Sequence, residues 1–172
     1  MAAIILLCGL VVTSCSLLLN SQERKMVGKW HEKIQDKEDF VVCYLESMDE
    51  YKEDKTMSSS GNITFQYNIG TDDDNFIVYA SFDFEEEGTW HIEEDKLISK
   101  SDVVNLSDVS ITSSTELDAA YISELKKSIK QELPSIRDEL LKKDTTEIIL
   151  LNDTEFKYKD DDGTVYTMTK VK

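Results

Sequence analysis

The sequence predicts a mostly β domain: an antiparallel up-and-down barrel or sandwich, with an amphipathic helical insertion before the last strands. Three observations predict it. Apolar and polar residues alternate in short runs over residues 26–113, with turn-forming clusters between them. A stripe of period 3.6 interrupts that pattern over residues 115–143. Only one proline occurs in 172 residues, so little stands in the way of strand pairing.

The chain opens with an apolar run, Ala2–Val12, too short to span a bilayer as a mature helix but suited to the core of a signal peptide. It ends in Val12-Thr13-Ser14-Cys15, which resembles the bacterial lipobox. In that motif the small residues admit the extended chain to a lipoprotein signal peptidase, and the Cys thiol carries the diacylglycerol. The resemblance implies a signal peptide over residues 1–14, lipidation at Cys15 with palmitate-type acyl chains, a tether over residues 15–25 and one folded domain over residues 26–172. A cleaved secretory signal with an incidental Cys is the alternative. No Lys or Arg precedes the apolar run, which points to a start a few basic residues upstream. No acidic cluster follows Cys15, and this favours the outer membrane facing the periplasm over an outward-facing site.

Asp and Glu total 35 against 19 Lys and Arg, a formal net charge of −16. Such acidity excludes nucleic acid as a partner, because phosphate binding needs clustered bases. It also excludes an electrostatic grip on anionic lipid, so acyl chains must anchor the protein. Cys8 leaves with the signal and Cys15 is acylated, so Cys43 stands alone and no intrachain disulfide forms in the mature chain. Cys43 lies in the apolar run Phe40–Leu45 and reads as a small core hydrophobe rather than a nucleophile.

Within the β region, Phe76–Phe84 alternates, with Phe76, Val78 and Ala80 on one face and Ile77 and Tyr79 on the other; a bulge near Ser81 is expected before Phe82 and Phe84. Ile63–Tyr67 and Val109–Ile111 alternate too. Turns are expected at Ser58–Asn62, Gly70–Asn75 and Glu93–Lys96. In the insertion, Ile122, Leu125, Ile129, Leu133, Ile136 and Leu140 form one stripe, to be buried on the barrel's outer wall, over one mouth or against a partner. Ser113 with Glu116, or Thr115 with Asp118, is expected to cap the helix, and Pro134 to kink it or begin a second one. Glu147–Leu151, Glu155–Lys159 and Thr164–Val171 close the chain as strands, with Asp160–Gly163 as the last hairpin turn.

Gly28-Lys29-Trp30-His31 and Gly88-Thr89-Trp90-His91 share a G-x-W-H pattern. Val27-Gly28-Lys29-Trp30, the later Gly88–Leu97 with its acidic turn and D-K-L, and the tyrosine-bearing hairpin Thr154–Thr169 together resemble the bacterial lipocalin-like lipoproteins, relatives of the calycins. The resemblance covers about residues 26–113 and 145–171; the insertion is longer than the connection expected there. It implies a lipocalin-like barrel in which Trp30 and Trp90 plug one end. Trp30, Phe65, Tyr67, Val78, Phe82, Trp90 and Tyr166 are the candidate residues of a ligand cavity.

Pleating turns His31 and His91 away from the tryptophans, and two histidines supply half a metal site at most. The acidic triples at residues 72–74, 85–87 and 160–162 lack calcium-loop spacing and read as solvated turn tips. No G-x-S-x-G, H-E-x-x-H, P-loop or Cys–His pairing occurs, so neither an enzyme nor a cofactor is expected. The expected function is a membrane-anchored lipoprotein of the cell envelope binding a small apolar or amphiphilic ligand. The alternative is a solid barrel that contacts an envelope protein through its helix or acidic surface. Interior space decides between them.

Overall fold

A computed structural model describes residues 19–38, 41–69 and 76–172. The signal segment and Cys15 lie outside the described residues, as does the turn expected at residues 70–75. Helix α1 (Ser21–Met26) precedes strands β1 (Gly28–Glu38), β2 (Val41–Tyr51), β3 (Thr56–Ile69), β4 (Phe76–Glu93), β5 (Lys96–Leu106) and β6 (Ser110–Ser113). Helix α2 (Ala119–Leu140) then leads into β7 (Lys143–Leu151), β8 (Glu155–Lys159) and β9 (Val165–Lys170). Each strand pairs antiparallel with its neighbours, and the ring β1-β2-β3-β4-β5-β7-β8-β9 closes on itself. The fold is thus the expected up-and-down, lipocalin-like barrel, with one helix before the last strands.

The wall is uneven in height. β1 pairs with β9 only over Trp30–Glu32, whereas β3 and β4 run together from Thr56↔Thr89 to Ile69↔Phe76. Strand β6 continues the line of β5 along β4 after a break at Ser107, whose N–H donates to Asp83 O at 2.9 Å. A tall wall of β1–β4 and β6 therefore overtops a short wall of β7–β9. On β4 the even residues Val78 through Phe84, then Glu86, Trp90 and Ile92, are buried. That alternation is unbroken, so no bulge occurs at Ser81; the irregularity lies against β5 at Glu87/Gly88.

Three apolar clusters occupy the inner face, one at the closed end and two above it on the tall wall. The closed end holds Met26, Trp30, Trp90, Leu97, Phe156 and Met168 with their neighbours. Trp30 Nε1 donates to Met26 O at 2.7 Å and Trp90 Nε1 to Lys52 O at 3.2 Å, so both indoles are buried without an orphaned N–H. Helix α1 seals this end and takes up Ser21–Lys25, the last part of the expected tether. It is capped by Asn20, whose side chain accepts from the N–H groups of Gln22 and Glu23.

Helix α2 covers the inner face of the tall wall, which places it over one mouth. Leu133 and Ile136 pack on Ile63, Phe82 and Phe84, and Ile129 on Ala80 and Val109. Lys126 and Lys130 grip Asp108 at 2.9 and 2.6 Å, beside the β5–β6 break. Neither Ser113 nor Thr115 caps the helix: it starts later, at Ala119, because Asp118 is its cap and accepts from Ala120 N at 2.6 Å. Pro134 lies inside one continuous helix on its exposed side. The ring there faces water, and the Lys130 carbonyl it leaves unpaired belongs to an exposed residue.

Candidate ligand-binding site

Between the closed end and α2 the barrel holds a cavity of about 680 Å³, within the range of small-molecule sites. Period-two pleating builds its wall. Counting in twos from Trp30 gives Glu32; from Tyr51, Asp49 and Ser47; from Trp90, Glu86. All of these except Trp30 and Trp90 line the cavity. The strand registers then join them into a girdle. Glu32 stands opposite Ser47, Asp49 opposite Ser59, and Ser59 opposite Glu86. Ser99 faces Asp144 across β5 and β7, at the rim.

Hydrogen bonds hold the girdle in place. Tyr158 Oη donates to Glu32 Oε1 at 2.7 Å, Ser47 Oγ to Asp49 Oδ2 at 3.2 Å, and Ser101 Oγ to Glu86 Oε2 at 2.6 Å. Glu32, Asp49 and Glu86 are each more than nine-tenths buried. Burial pushes the Glu32 carboxyl up to about 7 against the pull of Tyr158, and the nearby Asp49 adds to the rise. Asp49 and Glu86 are also raised, first by burial. Below the girdle, Met57, Leu97, Phe156 and Met168 form an apolar floor shared with the closed-end cluster. Above it, Glu139 and Leu140 at the end of α2, Lys142 and Lys143 after it, and Asp160–Asp161 of the last hairpin turn form the rim.

None of the seven residues expected to line a cavity lines this one. Trp30 and Trp90 are in the closed end, and Tyr51 meets Trp90 edge-on with ring centres 5.5 Å apart. Phe65, Phe82 and Tyr67 pack under α2, and Val78 is fully enclosed on β4. Tyr166 is half-buried, its ring 5.5 Å from that of Tyr158. The lining aromatics are instead Tyr51, Phe84, Phe156 and Tyr158. The residues that were missed had a readable signal, the shared parity of Glu86 with Trp90 and of Glu32 with Trp30. Composition hid it: Glu85–Glu87 is not a solvated turn tip but the middle of β4, and Ser58–Asn62 is not a turn but part of β3.

His31 and His91 lie on β1 and β4, which are not neighbours, so they do not make half a metal site. His31 Nε2 instead meets Glu46 Oε1 at 2.9 Å on the outer face. Among the described residues no three His, Cys, Asp or Glu side chains are grouped to hold a metal ion. Cys43 is half-buried against the tall-wall cluster; burial, then the charge of Asp36, pushes its thiol up, the reverse of a reactive thiolate. The chain matches no protein-family model, and no curated protein matches it.

Proposed function

We propose that this chain is a lipid-anchored bacterial lipoprotein of the lipocalin-like kind, held through Cys15 at the outer membrane facing the periplasm, whose barrel binds a small amphiphilic ligand without catalysis. The observation that carries the binding reading is the 680 Å³ cavity, with an apolar floor of Met57, Leu97, Phe156 and Met168 beneath a ring of carboxyls and hydroxyls. A packed barrel acting only through its surface needs an interior without such a space. A wholly apolar ligand fits poorly, because it would strip water from Glu32, Asp49 and Glu86 and return no hydrogen bond. An amphiphile satisfies floor and girdle together.

Thermal melting of the chain against a panel of small amphiphiles tests the binding reading. A ligand present at a hundred times its dissociation constant adds about 2.7 kcal/mol, roughly 5–10 °C for a domain of this size. An unmoved melting curve across apolar, anionic, neutral and cationic members overturns it. The anchor is tested separately, by mass spectrometry of the N-terminal peptide and by the fractionation of Cys15→Ala. Retention of that variant in the membrane removes the lipidation reading.

A further inference from the structure

Among the described residues the cavity has no internal cation to match its acids. Its wall carries Glu32, Asp49 and Glu86 inside and four more carboxyls towards the rim, whereas the only bases among the described lining residues, Lys142 and Lys143, are exposed at the mouth. Elsewhere this fold pairs a buried acid directly: Glu23, 3% exposed, has Lys55 Nζ at 2.6 Å. None of the three inner acids has such a partner among the described residues. Glu32 and Asp49 are diagonal neighbours on β1 and β2, a placement that sets Cα atoms about 7–8 Å apart. Glu86 follows two strands on from Asp49, across Ser59. Three carboxyls therefore flank one stretch of the cavity.

A second observation comes from Tyr51. It is 7% exposed, lines the cavity, and its hydroxyl has no hydrogen-bond partner among the described residues. No fully enclosed polar side-chain atom among those residues lacks a partner, so this hydroxyl keeps some accessible surface, on a residue that lines the cavity. Its phenol stands in the field of Asp49, Glu32, Asp144 and Glu86. A buried phenol with a free oxygen, surrounded by acids, waits for a donor that carries positive charge.

We infer that the cavity takes a small organic amine, its ammonium group sharing its three N–H donors among the Glu32, Asp49 and Glu86 carboxylates and the Tyr51 oxygen, its carbon skeleton resting on Met57, Leu97 and Phe156. This rests on the ligand-binding reading above and narrows it to one charge class. An ammonium group suits the site better than a bare metal ion, because the acids are spread along the wall rather than grouped for coordination. Burial holds the three carboxyls above their ordinary values, and an arriving cation would offset that cost.

Isothermal titration of the full chain, expressed as Cys15→Ser so that no acyl group is attached, would use n-octylamine, 1-octanol and octanoate at pH 8. The three share a chain and differ in charge. One octylamine should bind per chain at least tenfold more tightly than octanol and a hundredfold more tightly than octanoate. Glu32→Gln and Glu86→Gln should each weaken octylamine at least tenfold and octanol by a much smaller factor, because only the amine loses a charge pair. Tyr51→Phe, which keeps the ring against Trp90, should weaken the amine severalfold. Octanol or octanoate binding as tightly as octylamine overturns the amine assignment and leaves a ligand-binding barrel. Absence of binding by all three overturns the assignment together with the function on which it rests.

Discussion

Tyr158 Oη donates a 2.7 Å hydrogen bond to Glu32 Oε1, tying β8 to β1 across the short strand β9. Glu32 also faces Ser47 and Asp49 from β2 and Met168 from β9. The burial of Glu32, which this bond only partly offsets, makes the barrel's stability depend on pH in an unusual direction. Burial, outweighing the Tyr158 bond and reinforced by Asp49, raises Glu32 to about 7. An unfolded Glu titrates near 4.3. Between those values the folded chain holds a proton that the unfolded chain has lost, so stability falls as pH rises through this window. The shift allows up to about 4 kcal/mol from this group. Asp49 and Glu86 shift the same way, whereas Glu23 shifts oppositely. Urea midpoints should therefore be higher at pH 5 than at pH 8. Glu32→Gln should raise the pH 8 value and flatten the profile; an unchanged slope in that variant would remove Glu32 as its source.

Much of this barrel was legible in the sequence, because tryptophan and glycine constrain a strand strongly. The paired G-x-W-H segments mark two strands whose indoles fill the closed end, and Asp160–Gly163 forms the expected turn, with Gly163 at a φ of +92°. The site was less legible. Acids and serines carry no intrinsic preference for the interior, and in Glu85–Glu87 and Ser58–Asn62 their composition imitates a surface turn. Only parity, counted from the neighbouring tryptophans, reveals that Glu86 and Glu32 face inward. The long helix was visible by its period. Its resting place was not, since one apolar stripe suits an outer wall, a mouth or a partner equally well.

Glu23 and Lys55 form the one ion pair among the described residues whose carboxylate is buried, at 2.6 Å, and it pins α1 across the closed end. Burial raises the Glu23 carboxyl, but hydrogen bonds from Lys55 and from the N–H groups of Asn20 and Ile92 more than reverse it. Lys55→Met leaves that carboxylate with backbone donors only, while keeping the same left-handed backbone demand at φ 66°. It should cost about 2 kcal/mol, read from urea denaturation at pH 7. Lys55→Met combined with Glu23→Gln should recover part of the loss. A double variant no better than the single one would show that the Lys55 stem, not its charge, matters.

Leu133 touches both upper clusters, joining α2 to Phe82 and Phe84 on one side and to Ala80 and Val109 on the other. Leu133→Ala should cost about 2 kcal/mol in helix docking. Because only Ile129 of α2 is fully buried, the loss should be local. Hydrogen exchange should quicken across residues 119–140, while β1, β4 and β8 around the closed-end cluster keep their protection. Uniformly faster exchange through those strands would mean that helix and barrel unfold as one unit.

Gly61 and Gly163 separate two reasons for a glycine. A Cβ at Gly61 would stand 2.2 Å from the Glu46 carbonyl oxygen, 2.8 Å from the Phe84 ring and 2.9 Å from Ser47 Cα. Two of those atoms are backbone of β2, so relief requires the strands to part beside the cavity. At Gly163 a Cβ meets nothing within 4 Å, and only the φ of +92° opposes a side chain. Gly61→Ala should therefore cost about 2–3 kcal/mol and Gly163→Ala about 1 kcal/mol, compared by denaturant midpoints under one condition. The amine affinity should fall with Gly61→Ala and hold with Gly163→Ala, since only the first moves the strand that carries Ser47 and Asp49. Equal losses of stability in the two variants would mean that the β2–β3 approach at Gly61 is looser than these distances describe.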